Sequence, residues 1–392
     1  MKTDDKYRIF DVLNNRRGTG SYKWDSAADS DILPMWVADM DFKTAPAVTE
    51  ALTRRVSQGI FGYTKVGDDY YDACIGWFSS RHGWEISREW MVYTSGVVPA
   101  LSAVIKALTT PGDKVIVQTP VYNCFFSSIR NNGCGIVESP LVYEDMSYHI
   151  DFSDLERKAA DPAVRIMLLC NPHNPAGRVW TRDELRRIGE ICRLHDVIVV
   201  SDEIHCELVY KPNEYTPFAS VSEEFADNSV TCVSPSKAFN IAGLQIANII
   251  VKNPEWRALI DKAININEVC DVNPFGVVAT VAAYNEGGEW LDSLRSYLYD
   301  NYLVVRSFFE RHLPHLGVTR LEGTYLVWVD CRSLGIRSEE LERRLYENGR
   351  VWVNSGGIYG EAGEGFIRIN IACPRERLLD GLERLRRGFD MM

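Results

Sequence analysis

Between residues 114 and 251 short apolar runs alternate with helix-like stretches, and this alternation restricts the possible folds more than any other feature of the sequence. The runs at 114–118, 165–170, 197–201, 230–233 and 246–251 are the strand candidates. Several are apolar at consecutive positions, the pattern of strands covered on both faces of a mainly parallel sheet. Between two of them Thr181 and Glu184 form a T-x-x-E capping box, followed by Leu185, Ile188 and Cys192 at helical spacing. Such alternation predicts an α/β core. After about residue 285 the pattern changes. Helical segments at 289–313 and 338–348 flank strand candidates at 325–329 and 366–371. A chain of 392 residues is long enough for two domains. The expected division is a large α/β domain over 46–284 and a smaller α+β domain made of 1–45 with 285–392.

Charge and cysteine usage narrow the function classes. The 43 Lys+Arg against 54 Asp+Glu give a net charge of -11, which repels phosphate backbones and argues against nucleic acid as the main partner. The ten cysteines are scattered, with no C-x-x-C pair, and several such as Cys170 and Cys232 sit inside apolar runs. That fits reduced thiols and a cytoplasmic setting. No stretch reaches the ~20 apolar residues that cross a bilayer, and the first eight residues are charged, without an apolar leader.

Polar clusters begin where the apolar runs end: 119–122, 171–177, 202–205 and 234–237. In open α/β sheets, ligands bind outside the carboxyl ends of the strands, so four such clusters converge on one site. Each cluster has a plainer reading. Lys237, in Ser234-Pro235-Ser236-Lys237, is by itself a solvated surface charge. Flanking hydroxyls could instead serve an anionic group beside an amine that desolvation makes nucleophilic. Asp202 either caps a turn or pairs with a protonated pyridine nitrogen. Asn171-Pro172-His173-Asn174-Pro175-Ala176-Gly177 is either a turn or a rigid loop that aims an amide at a ligand. Ser95-Gly96-Val97-Val98 is either a serine-capped helix start or a set of free amides for a phosphate. Arg368, on an alternating strand candidate, either faces solvent or forks onto a carboxylate.

Taken together the pattern resembles the fold-type I pyridoxal-phosphate (PLP) enzymes of the aminotransferase class I/II superfamily over nearly the whole chain. The run from Leu33 to Phe42 (LPMWVADMDF) is similar to the MalY/PatB branch of cysteine C–S β-lyases. So are Phe61-Gly62-Tyr63-Thr64, Asp202-Glu203-Ile204-His205 and the run from Ser234 to Leu244 (SPSKAFNIAGL). The resemblance implies a mainly parallel, seven-stranded-type large domain with helices on both faces and a smaller α+β domain. It implies that Lys237 carries PLP as a Schiff base and moves the Cα proton. Asp202 would pair with the pyridine nitrogen, Asn174 with the ring hydroxyl, and Tyr122 would stack on the ring. Gly96, the Val97 and Val98 amides, Ser234 and Ser236 would hold the phosphate, and Arg368 the substrate carboxylate. Tyr63 would reach the neighbouring subunit's site, which makes a homodimer with shared sites part of the expectation. Trp36 and Asn354 are further candidates for lining the substrate pocket.

Two departures bear on the reaction. His205 stands where many aminotransferases place a tyrosine, and Gln245 where many place a phosphate-binding arginine. Both shift weight towards the lyase branch, and His205 is expected to touch the cofactor. The expected activity is β-elimination on an L-cysteine thioether, giving pyruvate, ammonia and a thiol. The rivals are an aminotransferase of L-amino acids and a catalytically silent PLP-binding regulator. His312 and His315 have metal-like spacing, but Pro314 breaks a common helical face and no third ligand is apparent. Residues 356–360 are glycine-rich without the βαβ setting that a dinucleotide site needs.

Overall fold

The computed structural model describes residues 8–27, 29–266 and 272–392; residues 1–7, within the charged start, lie outside them. Seven strands form the central sheet: β1 Met91–Thr94, β2 Lys114–Val117, β3 Gly135–Glu138, β4 Val164–Cys170, β5 Ile198–Asp202, β6 Ser229–Val233 and β7 Ala247–Ile250. Their order is β1-β7-β6-β5-β4-β2-β3. Among the seven, β7 alone runs opposite to the rest, antiparallel to both β1 and β6.

Burial on both faces explains the unbroken apolar runs. In β4 the side chains of Ile166, Leu168 and Cys170 pack with helices α1 (Val97–Leu108) and α2 (Cys124–Asn131). The intervening Met167 and Leu169 pack with Leu185, Ile188 and Cys192 of α3 (Arg182–Leu194). The α3 capping box forms as the sequence predicts, with Thr181 and Glu184 each accepting from the other's backbone amide. The edge strands β1 and β3 are not among the sequence candidates. Both are only partly covered, so their residues need not be uniformly apolar.

Beyond α4 (Gly288–His312), four strands pair antiparallel in the order β8-β9-β11-β10: β8 Gly317–Val318, β9 Leu326–Asp330, β10 Asn354–Ser355 and β11 Phe366–Asn370. The helix predicted at 338–348 ends at Arg344 and continues as one wide turn over Leu345–Gly349. Leu33–Pro34 pairs parallel with Val351–Trp352, tying the N-terminal segment to this region. A buried ion cluster fixes the same segment. Asp41 takes Lys23 at 3.2 Å, Arg16 at 3.0 Å and Arg377 at 3.1 Å. Burial alone would raise the Asp41 pKa; the three cations and the Trp24 indole outweigh it and hold it below the usual range.

Candidate active site

The four polar clusters meet at the carboxyl ends of β2, β4, β5 and β6, and α1 and β11 add one side each. Ser234 opens the turn after β6. Its hydroxyl donates to the Ile246 carbonyl at 2.6 Å and accepts the Ser236 amide at 3.1 Å, which sets the loop carrying Lys237. Ser234 thus spends its proton on the fold, whereas Ser236 has no hydrogen-bond partner for its hydroxyl among the described residues. Lys237 points inward and donates to the Ala38 carbonyl at 2.6 Å. Burial, reinforced by Arg368, lowers its pKa to about 8, against the pull of Asp39 and Asp202. The amine is therefore far more often unprotonated near neutral pH than an ordinary lysine.

Asp202 ends β5, buried, with the Ile204 amide on Oδ1 at 3.1 Å and no ion pair among the described residues. Burial raises its pKa to about 7. Such a carboxylate lacks a cation. Arg368 presents the mirror image on β11. It is 4% exposed and has no carboxylate partner among the described residues, and its Nε is buried without a hydrogen bond. Its remaining nitrogens reach the Trp36 carbonyl at 2.8 Å and the Asn174 Oδ1 at 3.1 Å, and its guanidinium lies over the Tyr359 ring. A guanidinium in that state suits an incoming carboxylate.

Asn174 sits in the loop after β4, which Gly177 closes at φ +71°. A side chain there would have to adopt a left-handed backbone, which favours glycine, whereas the nearest atom to a Cβ is the movable Leu321 Cδ1 at 2.9 Å. With its Oδ1 taken by Arg368, Asn174 keeps its amide hydrogens for a ligand. Gly96 is the N-cap of α1, and no side chain caps this helix, which rejects the serine-capped alternative. The Val97 and Val98 amides therefore stand free at a helix start, where an anion binds. Tyr122 lies within the fields of Asp202 and Arg368, and burial raises its pKa well above the ordinary value. His205 is buried; burial first, then Lys237 and Arg368, keep the imidazole neutral, with Nδ1 lacking a partner.

The remaining candidates are placed differently. Trp36 contributes its carbonyl, and its half-buried indole stacks on Trp352 at 4.2 Å. Asn354 supports that carbonyl at 3.1 Å and the Tyr359 hydroxyl at 2.9 Å. Tyr63 is 95% exposed and does not join the cluster. Gln245 adopts a left-handed backbone after the turn that follows Lys237 and brings no positive charge.

Sequence reasoning missed Ala38, Tyr325 and Glu203. Tyr325 donates to the Ala38 carbonyl at 2.9 Å, beside Lys237. Glu203 is fully buried behind Asp202 and accepts from Ser201 Oγ at 2.8 Å, the Phe218 amide at 2.9 Å, Asn171 Nδ2 at 3.3 Å and the Tyr215 hydroxyl. Its position next to Asp202 was a usable signal; nothing in a sequence marks a backbone carbonyl.

An orphan carboxylate, free helix-start amides, an amide donor, an aromatic ring and an activated lysine fit a planar phosphorylated aldehyde with a basic ring nitrogen. Among the described residues no group of His, Cys, Asp and Glu could hold a metal ion. The sequence matches the family Aminotransferase class I and II over residues 30–385. It is 45% identical over 96% of its length to the cystathionine beta-lyase PatB of Bacillus subtilis, covering 98% of that protein. Among solved structures it resembles PLP-containing cystalysin from Treponema denticola, with TM-score 0.94, 36% identity and coverage of 97% and 98% of the two chains. The PLP-bound C–S lyase from Staphylococcus hominis matches with TM-score 0.90, 35% identity and coverage of 97% and 98%.

Proposed function

The chain belongs to the aminotransferase class I and II family, and we propose that it is a PLP-dependent C–S β-lyase that cleaves L-cysteine thioethers such as cystathionine to pyruvate, ammonia and a thiol. The observation that carries the reading is the meeting of Lys237, Asp202 and Arg368 in one buried site, two of them without counter-ions. The near full-length likeness to named C–S lyases supports elimination over transamination.

Bound here, PLP supplies an electron sink that stabilises negative charge on the substrate Cα. In this proposal the Val97 and Val98 amides at Gly96, with the Ser236 hydroxyl, would hold the phosphate, and Ser234 would serve by setting the loop that carries Ser236. Asn174 donates to the ring hydroxyl, Tyr122 stacks on the ring, and neutral His205 packs beside it. Asp202 keeps a proton on the ring nitrogen facing it. Arg368 exchanges Trp36 and Asn174 for the α-carboxylate, which orients Cα towards Lys237, and Asn354 supports that wall. The Lys237 amine takes the Cα proton and can return a proton to the departing sulfur.

The large unit at 46–284 and the small unit formed by 1–45 with 285–392 are part of the same proposal. So is a homodimer in which the exposed Tyr63 of one subunit completes the other's site. No helix among the described residues is long and apolar enough to cross a membrane, and the described cysteines are free thiols, which suits the cytoplasmic setting we propose. The test is incubation with L-cystathionine and assay of pyruvate and thiol. Conversion of the cofactor to its pyridoxamine form, without pyruvate, refutes the lyase and leaves an aminotransferase.

A further inference from the structure

We propose that Asn370 is a positioning residue for Lys237, acting through the carbonyl of Ala38. The segment from Met35 to Phe42 crosses the site as a strap, and side chains hold every second carbonyl. Arg368 and Asn354 take Trp36, Lys237 and Tyr325 take Ala38, and Asn240 takes Met40 and Phe42. At its centre the Asp39 amide donates to the Val37 carbonyl at 2.9 Å, a three-residue turn with Ala38 at the apex.

Asn370 clamps that turn. Its Nδ2 donates to both ends, the Val37 carbonyl at 2.5 Å and the Asp39 carbonyl at 2.6 Å. The asparagine is itself fixed: it is 2% exposed, its Oδ1 accepts the Ala372 amide at 2.8 Å, and its own amide donates to Met35 at 2.8 Å. With both ends held, the apex carbonyl is presented to the two donors it accepts from, Lys237 Nζ and the Tyr325 hydroxyl. Asn370 lies two residues beyond Arg368 on β11, so one strand sets the carboxylate anchor and the rest position of the lysine.

A carbonyl accepts more strongly from an ammonium than from an amine. Ala38 therefore holds Lys237 best when it carries a proton, in the state where its nitrogen is free of any ligand. Tyr325 competes for the same oxygen. The other groups facing Lys237 are Asp39 from the strap, Asp202 and His205 from the end of β5, Arg368 from β11 and Cys124 from α2. Asn370 also holds the Asp39 carbonyl and Tyr325 packs against His205 at 6.0 Å, so the two changes are read as a pair, each required to move the midpoint in its own direction.

The proposal rests on Lys237 as the proton-carrying amine, and it is tested without turnover. The full chain, freed of cofactor, is labelled with an amine-specific reagent across pH, and the midpoint at Lys237 is read by peptide mass. Asn370→Ala is expected to move the midpoint about 0.5–1 pH unit lower, since loss of a charge-assisted hydrogen bond disfavours the ammonium. Asn370→Ser, which keeps one donor, should give a smaller shift in the same direction and serves if the alanine variant does not fold. Tyr325→Phe, which removes the competitor, should move the midpoint higher. An unchanged or higher midpoint in the Asn370 variants, or an unchanged or lower one in Tyr325→Phe, overturns the proposal. Lyase activity is not read, so this outcome is independent of the pyruvate assay.

Discussion

Asp202 and Lys237 each carry a charge that burial disfavours, and the site keeps both because a bound cofactor would answer both. Asp202 has its pKa raised to about 7, so between its ordinary value and pH 7 the folded chain binds more protons than the unfolded one. Stability of the cofactor-free chain therefore falls as pH rises through that window. Lys237, lowered to about 8, works in the opposite sense: stability recovers as pH rises from 8 towards the lysine's ordinary value. Asp202→Asn in the cofactor-free chain should raise the melting temperature at pH 8 by roughly 2–4 °C, a gain that vanishes below about pH 4. With cofactor present the same change should lower kcat, since the asparagine cannot hold a proton on the ring nitrogen. Thermal melts across pH, with and without PLP, check both halves. At this scale the sequence supplied residue types but not states. Neither the unpaired condition of Arg368 nor the carbonyl that holds Lys237 can be read from side-chain identities.

Strand ends and helix starts place these residues. The predicted strands at 165–170, 197–201 and 230–233 fall within two residues of β4, β5 and β6 at every end, because strands buried on both faces must be apolar throughout. The capping box at Thr181 was equally legible, being a local exchange of hydrogen bonds. It lies away from the site, so Thr181→Ala should cost about 1 kcal/mol in denaturant unfolding and leave KM unchanged. An altered KM would mean that α3 transmits strain to the loop bearing Asn174. The strap was legible only as a family string. Its structural role depends on Asn240 and Asn370, about 200 and 330 residues away in sequence.

Tyr63 raises the question of assembly. It is 95% exposed in a segment where Ile60 and Phe61 are 75% and 60% exposed, an apolar surface a second copy would cover. If subunits share sites, Lys237→Ala and Tyr63→Ala lie in different halves of each site. Mixing the two inactive variants in equal amounts should then restore about a quarter of wild-type activity, because half the dimers are hybrids with one intact site. If Tyr63 acts within its own subunit, mixing restores nothing.

The sequence by itself determined the α/β class, five of the seven strands of the central sheet and the four polar clusters at strand ends. These follow from periodicity and local hydrogen bonding, which operate over a few residues. Only the tertiary structure decided that the Trp36 carbonyl meets Arg368, that Asp202 and Arg368 stand without counter-ions among the described residues, and that Asn370 reaches back to the Val37 and Asp39 carbonyls on either side of Ala38. Those are outcomes of long-range packing. A group's charge and direction depend on which distant backbone covers it, and no local pattern encodes that.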